Sequence, residues 1–110
     1  MRFRKWVGGE EEGYHFFCPG CERPHTIRTK GKTTWGVSGS GDLLTFTPSI
    51  LVTYEAMDPK ENRRCHSYVK EGRIQFLGDC THSLKGQTVD IPDWPQNWKA
   101  GGAVDEEEEK

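Results

Sequence analysis

The sequence has few hydrophobic residues and no long hydrophobic run. Only 33% of the 110 residues are hydrophobic, and the mean hydropathy is −0.82. No stretch approaches the ~20 apolar residues of a membrane-spanning helix, and no apolar core of signal-peptide length follows the N-terminal residues. These absences argue against a helical membrane protein and predict a cytoplasmic protein that makes no contact with membranes.

A large net charge of either sign is also missing. The formal net charge is −2, so overall electrostatics do not favour nucleic acid as a partner. Acidic residues are concentrated at the C-terminal end, where Asp105 precedes a run from Glu106 to Glu109. Such a run is typical of a solvated chain end. We therefore predict one domain over residues 1–100 and a disordered acidic tail over residues 101–110.

Neither an internal repeat nor a long amphipathic helix is visible in the sequence. The 13 glycines and 6 prolines predict many turns, and the segments between them are short and rich in β-branched and aromatic residues, as strands are. A polar chain of this size buries a modest fraction of its surface and needs a metal or disulfide to stabilise it. We predict a mostly β, small single domain of antiparallel strands and hairpins, zinc-ribbon-like and stabilised by a structural zinc.

The four cysteines are the candidate ligands for that metal. In a reducing cytoplasm, cysteines in this number favour metal binding over disulfides. Cys18-Pro19-Gly20-Cys21 has the spacing of a zinc knuckle, in which two thiolates hold one ion and Gly20 permits a tight turn. A redox pair is less consistent with Pro19 and Gly20, because redox motifs usually open a helix. Four reduced thiols without a metal, or two disulfides, are the alternatives for the whole set.

A hairpin predicted around Glu71-Gly72 brings the later cysteines toward the knuckle. Side chains alternate between the two faces of a strand. One face of the hairpin then carries the apolar residues together with both later cysteines: Cys65, Ser67, Val69, Ile74, Phe76 and Cys80. We therefore predict Zn²⁺ bound by Cys18, Cys21, Cys65 and Cys80. The alternative is a mixed set in which His66 or His82 replaces one of the later cysteines.

The histidines are candidates for a second, catalytic site. His25, His66 and His82, together with Asp79, can converge next to the zinc, and three histidines with an open position are what a catalytic zinc uses. The competing interpretation is that the histidines hydrogen-bond around the metal or lie on the surface, and that Asp79 caps the segment after the hairpin. We recognise no Ser-His-Asp combination and no glycine-rich phosphate loop.

Several motifs, in a specific order and spacing, resemble a family of small phage and prophage proteins. They cover about residues 14 to 94 and comprise Phe17-Cys18-Pro19-Gly20-Cys21, His25, Trp35, Thr45-Phe46-Thr47-Pro48-Ser49-Ile50-Leu51, Cys65-His66-Ser67, Gly72-Arg73-Ile74-Gln75-Phe76-Leu77, Asp79-Cys80-Thr81-His82 and Gly86-Gln87-Thr88-Val89-Asp90. Leu44 stands where relatives tend to have a proline. Members are sometimes labelled "ammonia monooxygenase", a label that this short chain without a membrane span does not support. The resemblance implies a viral context and strengthens the proposed metal ligands.

From these observations we expect a non-enzymatic interaction module rather than an enzyme. Its partner is expected to be a host or phage protein in the host cell cytoplasm, bound through loops or the acidic tail. A small zinc-dependent hydrolase using His25, His66 and His82 is the first alternative. A nucleic-acid-associated zinc-ribbon protein is the second.

Overall fold

A computed structural model describes residues 1–95 of the chain. The strands form two antiparallel sheets, one with the order β1-β2-β3 and the other with the order β4-β5-β6-β7-β8. Their bounds are β1 Phe3–Gly8, β2 Glu11–Cys18, β3 Arg23–Lys30, β4 Gly36–Ser38, β5 Thr45–Tyr54, β6 Arg63–Lys70, β7 Arg73–Phe76 and β8 Thr88–Asp90. A single 3₁₀ turn, Pro59–Glu61, precedes β6 within the described residues. The prediction of a mostly β domain of antiparallel strands is confirmed, whereas its likeness to a zinc ribbon stays a prediction.

The inner faces of the two sheets form one hydrophobic core. Phe3 of β1 packs edge-on against Phe16 of its own sheet and against Phe46 of the opposite sheet, with ring centroids 6.2 and 5.7 Å apart. Ile27 and Ile74 are fully buried on opposing sheets. Burying side chains of this size stabilises the fold by roughly 1.5–3 kcal/mol each, so these contacts hold the sheets face to face.

The hairpin β6–β7 has the register expected from its two-residue loop. Val69 pairs with Ile74 and Lys70 with Arg73, and Glu71 and Gly72 both have positive φ, at 51° and 77°. Positive φ at both loop positions defines the turn type that matches the twist of a hairpin. Cys65 therefore lies on the buried inner face, and the next residue along the strand, His66, lies on the outer face.

Strand β5 begins earlier than its composition suggests. The sequence predicts a strand that starts at Ser49, after Pro48, but β5 starts at Thr45 and contains Pro48. Between Phe46 and Ile50 the pairing with β6 shifts, and the Thr47–Pro48 peptide bond is cis. Proline lacks a backbone donor and is tolerated inside a sheet at such a bulge. Ser49 lies within this irregular stretch.

Two further predictions concern a membrane span and the C-terminal tail. Among residues 1–95, no helix has the length and apolar character needed to span a bilayer. The predicted acidic tail, residues 101–110, and the end of the predicted domain lie outside the described residues.

Candidate functional site

Ser49 lies on the outer face of the five-stranded sheet, within the bulge of β5. Two residues further on, Leu51 pairs with His66 of β6, and cross-strand partners share a face. The Trp35 ring nitrogen donates a hydrogen bond of 3.1 Å to the Ser49 carbonyl. This bond fixes the backbone at Ser49, and the pairing of β5 with β6 places it beside the strand that carries His66.

Ser49, His66 and Asp79 form a continuous chain of side-chain hydrogen bonds. The Ser49 Oγ atom lies 3.0 Å from His66 Nε2, and the opposite ring nitrogen, Nδ1, lies 3.2 Å from Asp79 Oδ2. The side chains of His66 and Asp79 are 26% and 42% exposed, so the group is half-buried and open to solvent. A hydroxyl, an imidazole and a carboxylate thus follow one another along the hydrogen-bond chain, and these are the groups that can serve as nucleophile, base and orienting residue.

The hydrogen-bond partners fix which atom carries each proton. An ionised carboxylate only accepts, so His66 Nδ1–H donates to Asp79 Oδ2. In a neutral imidazole the other nitrogen is then an acceptor, and the Ser49 hydroxyl donates to Nε2. This is the tautomer in which a histidine can remove the proton of a serine during nucleophilic attack.

The loop after β7 holds Asp79 beside His66. The Leu77 amide donates to the His66 carbonyl at 2.9 Å. The Cys80 thiol lies against the same backbone, where it donates to the His66 carbonyl and accepts from the His66 amide, both at 3.2 Å. An Arg64 guanidinium nitrogen lies 3.9 Å from Asp79 Oδ2. These contacts hold the carboxylate against the ring nitrogen that it orients.

The sequence analysis missed this arrangement. His66 and Asp79 were candidates, but for a zinc site, and the expectation that no Ser-His-Asp combination exists is wrong. Ser49 was overlooked because it stands in no familiar nucleophile motif and because the sequence does not show how β5 pairs with β6, where the register shifts between Phe46 and Ile50. The one available signal was its place in Pro48-Ser49-Ile50, one of the motifs that carry the resemblance.

A second group of reactive side chains lies on the inner side of the same sheet. One ligand atom from each of Cys18, Cys21, Cys65 and His82 lies within 4.8 Å of the others. The Cys18 and Cys65 sulfurs are 3.9 Å apart. Cys18 ends β2, Cys21 follows in the turn, Cys65 comes from β6, and His82 comes from the loop after β7. Four soft and borderline donors at this separation can hold a metal ion.

His82 is packed where a ligand is needed. Its Nε2 atom is buried and has no hydrogen-bond partner among the described residues, while the Leu84 amide donates to Nδ1 at 3.2 Å. The ring stacks so closely on Gly20 that a Cβ atom there would collide with it. Buried polar atoms are rarely left unpaired, so the unpaired Nε2 fits a role as a metal ligand.

The three cysteines of this group influence one another's protonation. Hydrogen bonding with Cys18, and next with Cys65, lowers the pKa of Cys21. The hydrogen bond with Cys21 raises the pKa of Cys18 to about 12. Contact with the Cys18 thiol is the largest cause that raises the pKa of Cys65. One thiolate is therefore favoured while its neighbours keep their protons, and a bound cation is what allows all three to ionise together.

Cys80, the expected fourth ligand, lies outside this group. Its thiol is occupied by the His66 backbone, and His82, one of the alternates, stands in its place. His25 is buried beside Phe16, with ring centroids 5.5 Å apart. His66 faces Ser49 on the opposite side of the sheet. Among residues 1–95, the three histidines are thus not brought together around one open metal position.

The two groups share the same short segments of chain. Consecutive residues of β6 point in opposite directions, so Cys65 reaches the metal-binding group and His66 reaches Ser49. In the same way, the loop after β7 supplies Asp79 to the serine group and His82 to the metal-binding group. The two groups therefore lie on opposite sides of the same two segments.

Comparison with known proteins identifies a family for most of the chain. A family model described as "Bacterial ubiquitination-like system serine protease (BubE)" matches residues 3–77. Ser49 and His66 lie within the match, and Asp79 follows it by two residues. Neither a comparison with curated proteins nor one with solved structures finds a match.

This family corrects the expected class of function. A serine protease is an enzyme, so the expectation of a non-enzymatic interaction module is wrong. The reason for the error lies in the site: without Ser49, the remaining candidates contained no nucleophile. The family's description names a bacterial system, and the resemblance to phage and prophage proteins stays a prediction.

Proposed function

This chain belongs to the bacterial ubiquitination-like system serine protease (BubE) family, and we propose that it cleaves peptide bonds with Ser49 as its nucleophile. His66 acts as the general base and acid, and Asp79 orients and stabilises the His66 ring. The observation that carries the proposal is the unbroken hydrogen-bond chain of 3.0 Å from Ser49 to His66 and 3.2 Å from His66 to Asp79. Those distances lie within the range that nucleophilic catalysis requires.

The reaction proceeds in two displacement steps. His66 Nε2 takes the hydroxyl proton as Ser49 Oγ bonds to the carbonyl carbon of the substrate, and the carbonyl π electrons move to its oxygen. The carbonyl re-forms as the C–N bond breaks, and His66 gives its proton to the departing amine. Water then repeats the sequence on the Ser49 ester, which releases the acid and restores the enzyme. Asp79 stays ionised throughout and stabilises the positive charge on His66.

The order of the three residues along this chain is serine, histidine, aspartate. It differs from the orders found in the chymotrypsin, subtilisin and α/β-hydrolase folds, which share the geometry on unrelated scaffolds. Here Ser49 and His66 lie on the neighbouring strands β5 and β6, and Asp79 lies on the loop after β7. Geometry rather than sequence order therefore supports the assignment.

Activity measurements on two serine variants test the proposal. Wild-type protein, Ser49→Ala and Ser38→Ala are incubated with a fluorogenic peptide library. Ser38 is an exposed residue of the short strand β4 and serves as the matched control. We expect hydrolysis by wild type and Ser38→Ala, and a loss of about 10³-fold or more with Ser49→Ala. Equal activity in Ser49→Ala and wild type would refute Ser49 as the nucleophile.

We further propose that Cys18, Cys21, Cys65 and His82 hold a structural Zn²⁺ ion. Three cysteines and one histidine are a common tetrahedral set for structural zinc, and four protein ligands leave no position for a reacting water. When bound, the ion crosslinks the end of β2, strand β6 and the loop after β7. Catalysis is thus assigned to the serine group, and the metal is assigned to stability. Metal counting on purified protein is expected to give about one zinc per chain.

The proposed partner is a protein substrate rather than a nucleic acid. The family description places its members in a ubiquitination-like system, and a peptide bond is what the serine group would cleave. A formal net charge of −2 supports no general attraction to nucleic acid.

A further inference from the structure

Three side chains lie in a row on the outer face of β6, and the middle one is His66, which contacts Ser49. Arg64, His66 and Tyr68 occupy every second position of the strand, so they share a face and follow one another at about 7 Å. Arg64 lines one cleft and Tyr68 lines another. The hydrogen-bonded serine group therefore lies between two surface depressions.

The cleft at Tyr68 is the larger of the two. Its volume is about 380 Å³, against about 260 Å³ for the cleft at Arg64. It crosses four neighbouring strands, because residues of β5 line it, Tyr68 of β6 pairs with Gln75 of β7, and Gln75 pairs with Thr88 of β8. Thr47, two residues before Ser49, lines the near side. The cleft thus begins where the serine group ends.

The two clefts differ in chemistry. Tyr68, which is 47% exposed, and the methyl groups of Thr45, Thr47 and Thr88 give the larger cleft apolar contact surface, and Lys70, Glu71 and Arg73 also line it. The smaller cleft is lined by Tyr54 and by four residues with ionisable side chains, Glu55, Arg63, Arg64 and Asp79. Pockets that bind an apolar group combine an aromatic or aliphatic lining with a few polar atoms. Both clefts carry an aromatic ring and charged side chains, but only the surface of the cleft at Tyr68 is mostly apolar.

We propose that the Tyr68 cleft is a specificity subsite that takes a large apolar side chain of the protein substrate. This inference rests on the proposed protease function of Ser49. An extended peptide rises by about 3.3 Å per residue, so a cleft about 7 Å from His66 receives a side chain about two residues from the cleaved bond. Aromatic and branched aliphatic side chains fit a lining of one ring and several methyl groups.

The measured quantity is the ratio of kcat/KM for a peptide with a large apolar side chain to kcat/KM for the matched Ala peptide. The ratio is taken separately for each protein variant, so a general loss of activity does not change it. Peptides carrying Phe or Leu at each of the two positions on either side of the cleaved bond are compared with matched Ala peptides. For wild type, kcat/KM is expected to be about tenfold or more higher with the large side chain at one of these positions, as for pockets that select apolar groups.

Two variants alter the cleft, and one serves as a control. Thr88→Trp, on the exposed edge strand β8, fills the cleft and is expected to bring the ratio close to one. Tyr68→Ala removes the ring and is expected to lower the ratio about threefold or more. Thr26→Trp makes the same change as the first variant at an exposed position of the other sheet, and it should keep the wild-type ratio.

The outcomes separate this inference from the proposed function. Hydrolysis by wild type without any preference at these positions overturns the subsite alone, as does a preference that survives both Thr88→Trp and Tyr68→Ala. No hydrolysis of any peptide overturns the protease assignment and the subsite together. A ratio that falls in Thr88→Trp and Tyr68→Ala but not in Thr26→Trp supports the subsite.

Discussion

Replacing Asp79 by asparagine isolates the role of the carboxylate in the hydrogen-bond chain. Asp79 accepts from His66 Nδ1 at 3.2 Å and is otherwise approached by Arg64 at 3.9 Å. An asparagine amide can donate to the ring, which favours the tautomer with its proton on Nε2. That proton would face the Ser49 hydroxyl, and His66 would no longer be able to accept the serine proton.

The size of the effect follows from the exposure of the site. Where the carboxylate is fully buried, the same change lowers kcat by about 10⁴-fold in a serine protease. Asp79 is 42% exposed, and solvent weakens its hold on the ring. We therefore expect kcat to fall by about 10²–10⁴-fold, which corresponds to roughly 2.7–5.4 kcal/mol in the activation free energy.

Steady-state kinetics on a peptide substrate measures this change. Asp93→Asn is the matched control, because Asp93 is 79% exposed and contacts only the N-terminal amine among the ion pairs described. We expect the control to keep wild-type kcat, and both variants to melt within a few degrees of wild type. A fall of less than about threefold in Asp79→Asn, with the fold intact, would contradict the assigned tautomer and the role of Asp79.

Three further predictions concern the metal-binding group. Removing zinc with a chelator, or making Cys18→Ser, is expected to unfold the domain in circular dichroism, because structural zinc contributes about 10–16 kcal/mol in small zinc domains; a chelated protein with an unchanged melting temperature would oppose this. Cys80→Ser is expected to keep one zinc per chain in elemental analysis, since its thiol contacts the His66 backbone; loss of the metal would show that Cys80 is a ligand. Gly20→Ala pushes a methyl group into the His82 ring and should weaken zinc binding about tenfold or more, whereas Gly78→Ala meets nothing within 4 Å and should not; equal affinities would argue against His82.

Much of the inner face of the larger sheet was predictable from the sequence. Two-residue alternation on either side of Glu71-Gly72 placed Cys65, Val69 and Ile74 on the buried side, and all three are buried. A period of two is a strong signal because a slip of one residue would expose the whole apolar set. The same period places His66 on the outer face.

The two-residue alternation of strands did not identify the fourth residue of the metal-binding group. Cys80 and His82 are two residues apart and would lie on the same face of a strand, so alternation alone does not choose between them. Strand β7 ends at Phe76, and after it the loop path decides which side chain points inward. That path turns Cys80 onto the His66 backbone and carries His82 against Gly20.

Ser49 was unpredictable for a related reason. The pairing of β5 with β6 shifts between Phe46 and Ile50, so a two-residue period gives the face on which Ser49 lies but not the residue of β6 that lies beside it. A sequence pattern that assumes a regular strand gives no reason to bring Ser49 next to His66. The functional residue lies at the point where the strand is irregular.

Covalent labelling tests the central claim most directly. The purified protein is treated with a fluorophosphonate, which forms a stable ester with an activated serine, and the labelled residue is located by peptide mass spectrometry. The account predicts one adduct per chain, on Ser49, which disappears in His66→Ala because the hydroxyl has lost its base. Labelling at another residue, or no labelling of folded, zinc-loaded protein, would contradict it.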